Sequence, residues 1–373
     1  MVETRKRPDY FLLLIIFLLI IVGFLILASV SFPLSQKNYG NNFYYLIHQI
    51  LYGFLPGLIL GLLAYKMSLN RLKKLAPFFL LINIFLMVLV FLPVIGLNFR
   101  GASRWIVIGN FTFQPSEILK LTFIIYLASW LASRTEKNSP AKNTNFGQTF
   151  LAFLIIVGIV SLLLILQPDI TTLMIIISFS LLMYFLSETP LWYNILISLL
   201  IILALLVLIK IAPYRYDRIM IFLNPELDPM GKGFQSKQVI IAVGSGGIGG
   251  VGLGFSQQKF GSLPQSISDC IFSIFAEETG LIGSLVLISI FLLFFWRGFR
   301  VGSLNSHNRF YRLCAFGITS WIITQAFINI GSMIGILPLT GIPLPFTSYG
   351  GSHLITELIG MGLLLNISKE AKN

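Results

Sequence analysis

Charge is what this sequence is shortest of. Only 11% of its 373 residues are Asp, Glu, Lys or Arg, against roughly a quarter in a soluble domain. So few charges cannot clothe a chain of this length in a water-facing surface, which excludes an ordinary soluble enzyme. Acids are the scarcer sign, with 14 Asp and Glu against 26 Lys and Arg. Cysteine occurs twice, as Cys270 and Cys314, at opposite ends of neighbouring expected helices. No disulfide follows from that placement, and neither cysteine has a metal or redox spacing. Histidine occurs three times, at His48, His307 and His353, and no His, Cys and carboxylate cluster has metal-ligand spacing. No convincing internal repeat is visible, which counts against a transporter made of duplicated halves.

What the chain has instead is apolar run after apolar run. Hydrophobic residues make up 56% of it, and the mean hydropathy is +0.87. Runs near twenty residues recur along the whole length, as crossing a hydrocarbon core of about 30 Å requires. The pattern predicts an all-α, polytopic membrane protein of about ten transmembrane helices. They are expected near 10–31, 45–65, 76–96, 115–133, 148–167, 169–187, 190–211, 269–296, 312–335 and 345–367. The first follows Arg5, Lys6 and Arg7 and is too long for a cleaved signal, so it reads as an uncleaved helix. All of 1–373 is expected to be a single membrane domain with no soluble insert.

The net charge of +12 would suit nucleic acid, but its distribution does not. Sixteen of the Lys and Arg fall in the N-terminus, 66–74, 134–142, 297–312 and the tail, all on one side of the expected membrane. That bias puts both termini in the cytoplasm. Two loops then face outward, 97–114 and the much longer 212–268. The second is too apolar for disorder and is expected to hold short or re-entrant helices. Within it, Gly244-Ser-Gly246-Gly-Ile-Gly249 matches a dinucleotide fingerprint by letter. It lacks the strand and helix context that would give the match meaning. Close packing of a re-entrant segment, or backbone approach to a lipid phosphate, accounts for those glycines better.

Ionisable groups inside or at the edge of apolar spans are costly and mark function more often than chance. Here they are Glu117, Lys120, Asp169, Asp269, Glu277, Glu278 and Glu357. Glu117 and Lys120 stand three apart on one helix and can simply pair. Asp169 follows Gln167-Pro168 and can simply cap the next helix. Glu277 and Glu278 lie two turns into their helix and need partners such as Lys120 or an arginine, a structural ion pair. Asp269 admits two readings. It stands where an N-cap would stand, and it would also face a site lined by the basic long loop, where a partly desolvated carboxylate makes a general base.

In order along the chain, several segments resemble one family. Arg100-Gly-Ala-Ser-Arg104-Trp105-Ile, then Phe113-Gln-Pro-Ser-Glu117-Ile-Leu-Lys120, resembles the signature of the SEDS (FtsW/RodA) peptidoglycan polymerases. Gln167-Pro-Asp169, Tyr214-Arg-Tyr-Asp-Arg218-Ile and Phe222-Leu-Asn-Pro225 are similar to its next landmarks. So are Leu263-Pro264, Ser268-Asp269-Cys-Ile-Phe, Glu277-Glu278-Thr-Gly280 and the closing Gly341-Ile-Pro-Leu-Pro345-Phe-Thr-Ser348-Tyr349-Gly-Gly-Ser352. Gly254-Phe-Ser-Gln257-Gln-Lys259 is closer to the FtsW, or division, branch. Gln265, Ser268, Cys270, His353 and Glu357 depart from the family pattern, whereas Asp269 is retained.

The resemblance implies a glycosyltransferase that polymerises lipid II by β-1,4 bonds on the outer face of the bacterial cytoplasmic membrane. Its undecaprenyl-pyrophosphate leaving group calls for cations. Arg104, Arg215, Arg218, Lys237 and Lys259 are the candidates, with Trp105, Ser348 and Tyr349 as further substrate contacts. Asp269 is the residue that the family motif assigns as base. Expected partners are lipid II, a class B penicillin-binding protein, and divisome or elongasome membrane proteins. Nucleic acid is not among them. No cofactor is indicated, and the sequence neither calls for nor rejects a divalent metal. Two rival readings stand beside this one: a lipid II flippase, whose polar path Glu117, Lys120, Glu277, Glu278 and Glu357 could line, and a non-catalytic scaffold for a penicillin-binding protein.

Overall fold

The computed structural model describes residues 7–371 apart from 93–95, 100–101, 109–110, 136–145, 212, 229–230 and 262. The first helix, α1 (Tyr10–Tyr39), starts where Asp9 accepts a hydrogen bond from the Leu12 amide at 3.0 Å. It stops at Gly40, whose φ of 67° turns the chain so that its N–H meets the Gln36 carbonyl, the usual left-handed helix ending. α1 therefore runs eight residues beyond its expected end at 31. Next, α2 (Tyr44–Lys66) contains a π-turn over Ile50–Phe54, just ahead of Pro56. Proline has no N–H and its ring crowds the carbonyl four residues back, so the widened turn relieves both defects. α3 (Leu69–Leu89) begins earlier and ends earlier than expected.

The 97–114 loop is a small three-stranded antiparallel sheet: β1 (Gly96–Phe99), β2 (Ala102–Ile108) and β3 (Phe111–Phe113). Trp105 pairs with Leu97, and Ile106 pairs with Gly96 on one side and Phe113 on the other. Branched side chains at Ile106, Val107 and Ile108 favour this pleated form. Helices α4 (Pro115–Thr135), α5 (Phe146–Leu166), α6 (Ile170–Leu186) and α7 (Leu191–Ile211) follow. The long loop then folds as α8 (Pro213–Leu223), a short turn of helix at Pro225–Leu227, and α9 (Lys232–Ser245). Last come α10 (Ile271–Leu304), α11 (Arg309–Met333) and α12 (Gly351–Ser368).

Among the described residues, eight helices are long and apolar enough to cross a membrane. Of the ten expected spans, the two outside that set are α6, apolar but 17 residues long, and α12. α12 carries His353, Glu357 and Asn366, all buried. It is more polar than a lipid-facing helix because it faces other helices. The centre of the bundle is α4, α6, α11 and α12. Around them α1, α2, α3, α5 and α7 each bury one stripe and show Leu, Ile and Phe outward, as helices bathed in lipid do.

Two close approaches hold this arrangement. α2 presents Gly53, Gly57 and Gly61 to α12, and a Cβ on Gly61 would stand 2.7 Å from the Leu358 carbonyl oxygen. Small residues at this spacing let membrane helices pack backbone to backbone. Elsewhere α10 breaks in mid-span at Gly280, with φ 66° and ψ −162°. The glycine-rich segment after α9 fills the gap. Val251 and Gly252 donate to the Glu277 and Glu278 carbonyls, and Leu281 and Ile282 donate to Gly247 and Ile248. A break inside lipid is tolerated only where other backbone satisfies it. The fingerprint-like glycines 244–249 thus belong to close packing, with Gly246 against Ala276 at a distance no Cβ could share.

Candidate functional site

Asp269 is the sequence candidate with the most to decide, and the structure removes one of its two readings. α10 starts at Ile271, its N-cap position is Cys270, and no side chain makes a capping hydrogen bond there. Asp269 sits one residue further out, half-buried, in the turn that follows Leu263-Pro264. Its carboxyl lines a cavity of about 250 Å³ whose walls are Arg218, Ile221 and Phe222 from α8, Gln235 and Ser236 from α9, Gln265, Cys270, Met333, Leu339 and Gly341. Burial pushes the Asp269 carboxyl up to about 6, against the opposing pull of the Ser268 hydroxyl and the Arg218 charge. A carboxylate so placed is ionised near neutral pH and still avid for a proton, which is what a general base needs.

Two clamps fix the backbone on either side of that carboxyl. Asn329, fully buried on α11, donates from Nδ2 to the Asp269 carbonyl at 2.8 Å and to the Ile342 carbonyl at 2.6 Å. Ser348 Oγ donates to the Ser268 carbonyl at 2.6 Å and accepts from the Leu344 amide at 2.8 Å. Burial pushes the Cys270 thiol up to about 12, with Gln235 as its hydrogen-bond donor at 3.3 Å. It is therefore a packed thiol rather than a nucleophile.

The predicted substrate contacts divide. Arg218 lines the cavity beside Asp269. Arg215 is on the same helix, but its side chain lies outside the described residues. Lys237, on α9, is about half-exposed and 3.7 Å from the more exposed Glu226. Arg104 is turned elsewhere: its guanidinium donates to the Gln167 and Pro168 carbonyls, which pins β2 to the turn before α6. Trp105 is half-buried in β2. Tyr349 donates its amide to the Ile267 carbonyl at 2.9 Å and contacts His48 Nδ1 with its hydroxyl at 2.8 Å. Ser348 and Tyr349 thus brace the Asp269 turn rather than line the cavity.

Lys259 needs a correction. It was expected as a cation facing the leaving group, yet it is buried and its Nζ is 2.8 Å from Glu278 Oε1. Ser29 on α1 donates to the other oxygen of Glu278 at 2.6 Å. The partner of Glu278 is therefore Lys259, neither Lys120 nor an arginine. Glu277 is not in a described ion pair; it accepts from Ser256 Oγ at 2.5 Å and the Gln257 amide at 3.0 Å. Lys120 pairs with Glu117 at 2.7 Å, as the spacing predicts, and also reaches Gln325 Oε1 at 3.0 Å. Asp169 caps α6 through the Thr172 amide.

Gln235, Ser236, Met333, Leu339 and Asn329 carry no sequence signal of their own. Only the expectation of short helices in 212–268 brought the first two near the site. Among the described residues, no group of three His, Cys, Asp or Glu could hold a metal ion. A second hollow, of about 390 Å³, lies against Ala28, Ser29, Phe32, Phe43, Gly254, Lys259 and Phe260. It offers apolar surface and one cation that is already paired, with no group poised for chemistry.

These features define a multi-pass, predominantly helical membrane protein with a carboxylate, Asp269, that caps no helix and lines a polar cavity at a bundle end. Residues 10–373 match the FtsW/RodA/SpoVE family, described as cell cycle proteins, and the chain belongs to that family. It is 37% identical over 358 residues to a probable peptidoglycan glycosyltransferase FtsW of Coxiella burnetii, spanning 95% of this chain and 94% of that one. It is 35% identical to stage V sporulation protein E of Bacillus subtilis over 100% of both chains. A chain from a structure of a peptidoglycan synthase complex coordinating polymerization and crosslinking superposes with TM-score 0.76 at 28% identity, covering 97% and 98%. RodA of Thermus thermophilus superposes with TM-score 0.70 at 25% identity, covering 98% of each chain.

Proposed function

We propose that this protein is a peptidoglycan glycosyltransferase that joins lipid II units into β-1,4-linked glycan strands and releases undecaprenyl pyrophosphate. The observation that carries the mechanism is the Asp269 carboxylate, uncapped and raised in proton affinity, in one cavity with Arg218. Asp269 takes the proton from the acceptor sugar hydroxyl as its oxygen attacks the anomeric carbon of the donor. The bond to the pyrophosphate breaks, and Arg218 stabilises the charge left on it. The relatives named as glycosyltransferases support the reaction class. The synthase complex supports a crosslinking partner, which we take to be a class B penicillin-binding protein. We place the cavity on the outer face of the bacterial cytoplasmic membrane with both termini inside, from the basic-loop bias. A division role follows the branch of the relatives.

The purified chain with lipid II in detergent, with and without a crosslinking partner, tests the reading. Glycan polymer is the expected product. A flippase has no bilayer to act across, and a scaffold makes no polymer, so its absence under both conditions refutes the proposal. Labelling of Ser236→Cys by an impermeant thiol reagent in intact cells is expected; labelling only after lysis would overturn the outward placement.

A further inference from the structure

His353 and Glu357 depart from the family's closing pattern, and the proposed reaction makes no use of them. Both are buried on α12. His353 stands between two acids, with Nδ1 3.1 Å from Glu117 Oε2 and Nε2 3.1 Å from Glu357 Oε1. Glu117 is held in turn by Lys120. Moving any one of these charges would leave another buried with less compensation.

The second oxygen of Glu357 leaves the cluster. It accepts the backbone N–H of Phe346 at 2.9 Å. Phe346 has a φ of 61°, a left-handed conformation that a bulky residue keeps only when its surroundings impose it. Phe346 is buried, so bulk water does not compete for that N–H. The turn so held is the one that braces Asp269. Two residues after Phe346, Ser348 holds the Ser268 carbonyl, and Asn329 ties the carbonyl of Ile342 to that of Asp269 itself. Gln325 adds a second link from the cluster, accepting from Lys120 and donating to the Pro343 carbonyl at 3.1 Å.

We propose that Glu357 is a positioning residue for the transferase reaction. Acting through Phe346 and the 342–348 turn, it sets from inside the membrane where the Asp269 carboxylate stands. His353 is its counterpart, supplying the partner that lets an acid occupy this depth. The inference rests on the reading of Asp269 as the base, and it accounts for two departures that are otherwise unexplained.

The test compares two substitutions of one residue. Glu357→Leu removes the acceptor for Phe346 N–H, whereas Glu357→Gln keeps a carbonyl oxygen there. Asn305→Ala serves as comparison, since Asn305 is equally buried and donates to the Val301 and Ile367 carbonyls at the opposite end of α10. Per folded molecule, Glu357→Leu should lower kcat for lipid II at least tenfold with KM within about twofold. It should also speed amide hydrogen exchange across 264–270 and 342–349. Glu357→Gln should recover most of kcat, and Asn305→Ala should lose thermal stability alone. Unchanged exchange at 264–270 in Glu357→Leu overturns the clamp, whatever Asp269 does. Faster exchange with unaltered kcat removes Glu357 from the reaction. Asp269→Asn, run alongside, then tells whether the base assignment itself failed, because it alters the carboxylate and leaves the turn intact. Should Glu357→Leu not fold, Glu357→Asp keeps the charge, withdraws the acceptor oxygen from the Phe346 N–H by one methylene and carries the same expectation for 264–270.

Discussion

Two regions of the bundle treat their ionisable side chains in opposite ways. In the bundle interior, Glu117 meets Lys120 and His353, and Glu278 meets Lys259, all of them buried, with half-buried Ser29 as a second partner of Glu278. At the bundle end, Asp269 caps no helix and opens onto a polar cavity with Arg218 at its wall. The residue types are the same, and what differs is satisfaction. Burying a charge is costly unless it is paired, so these interior charges are committed to one another. A carboxylate held by its backbone, with its oxygens facing a cavity, is costly to maintain and remains free to exchange a proton. Charge buried in a membrane protein is therefore a poor guide to the working site until its partners are known.

The comparison breaks most decisively at Asp269. Asp269→Asn keeps size and polarity and removes the base, so polymerisation should fall by about 10²–10⁴-fold with thermal stability unchanged. Parental activity in this variant would make the cavity carboxylate as inert as the interior ones. The converse substitution is Lys259→Met, which strands Glu278 in the core. Breaking a buried pair costs about 3–5 kcal/mol, read as a loss of folded protein on thermal or denaturant unfolding. Stability within 1 kcal/mol of the parent would mean Lys259 is wetter and freer than its burial indicates, and its candidacy as a leaving-group cation would return.

A smaller effect is expected at Arg218, which is exposed on α8. Arg218→Ala should reduce kcat/KM for lipid II by about 10–100-fold, the range of one charge-assisted hydrogen bond, without changing the unfolding midpoint. An unaltered rate would leave the pyrophosphate to other cations of the long loop. The mildest test is pH. With the Asp269 carboxyl at about 6, it is mostly protonated at pH 5 and mostly ionised at pH 7. The rate should therefore rise about tenfold between them and level off above. A profile flat from pH 5 to 7 would place the ordinary carboxylate value on Asp269, and with it a water-exposed side chain.

How much of this was legible beforehand differs by feature. Repeated apolar runs settled a polytopic helical bundle, because crossing lipid demands the same length and composition wherever it happens. The Glu117–Lys120 pair and the Asp169 cap were legible for a similar reason, since both depend on neighbours three residues away along one helix. Asp269 was legible as a candidate only. The sequence left base and cap equally open, and the structure removed the cap by starting α10 two residues beyond it. Lys259 shows the opposite failure: a lysine in a loop reads as exposed, and nothing local reveals that Glu278 and Ser29 close over it. His353 and Glu357 looked like stray departures until α4, α11 and α12 brought them to Glu117 and to the Phe346 amide.

Composition and short-range spacing thus determined the membrane, the helices and the contacts within a turn, since those follow from the chain's own geometry. Which charges are spent on one another, and which carboxylate is left facing a cavity, only the tertiary structure decided. Those facts depend on partners as far as 288 residues apart, such as Asp9 and Arg297, and no local spacing encodes who meets whom across a bundle.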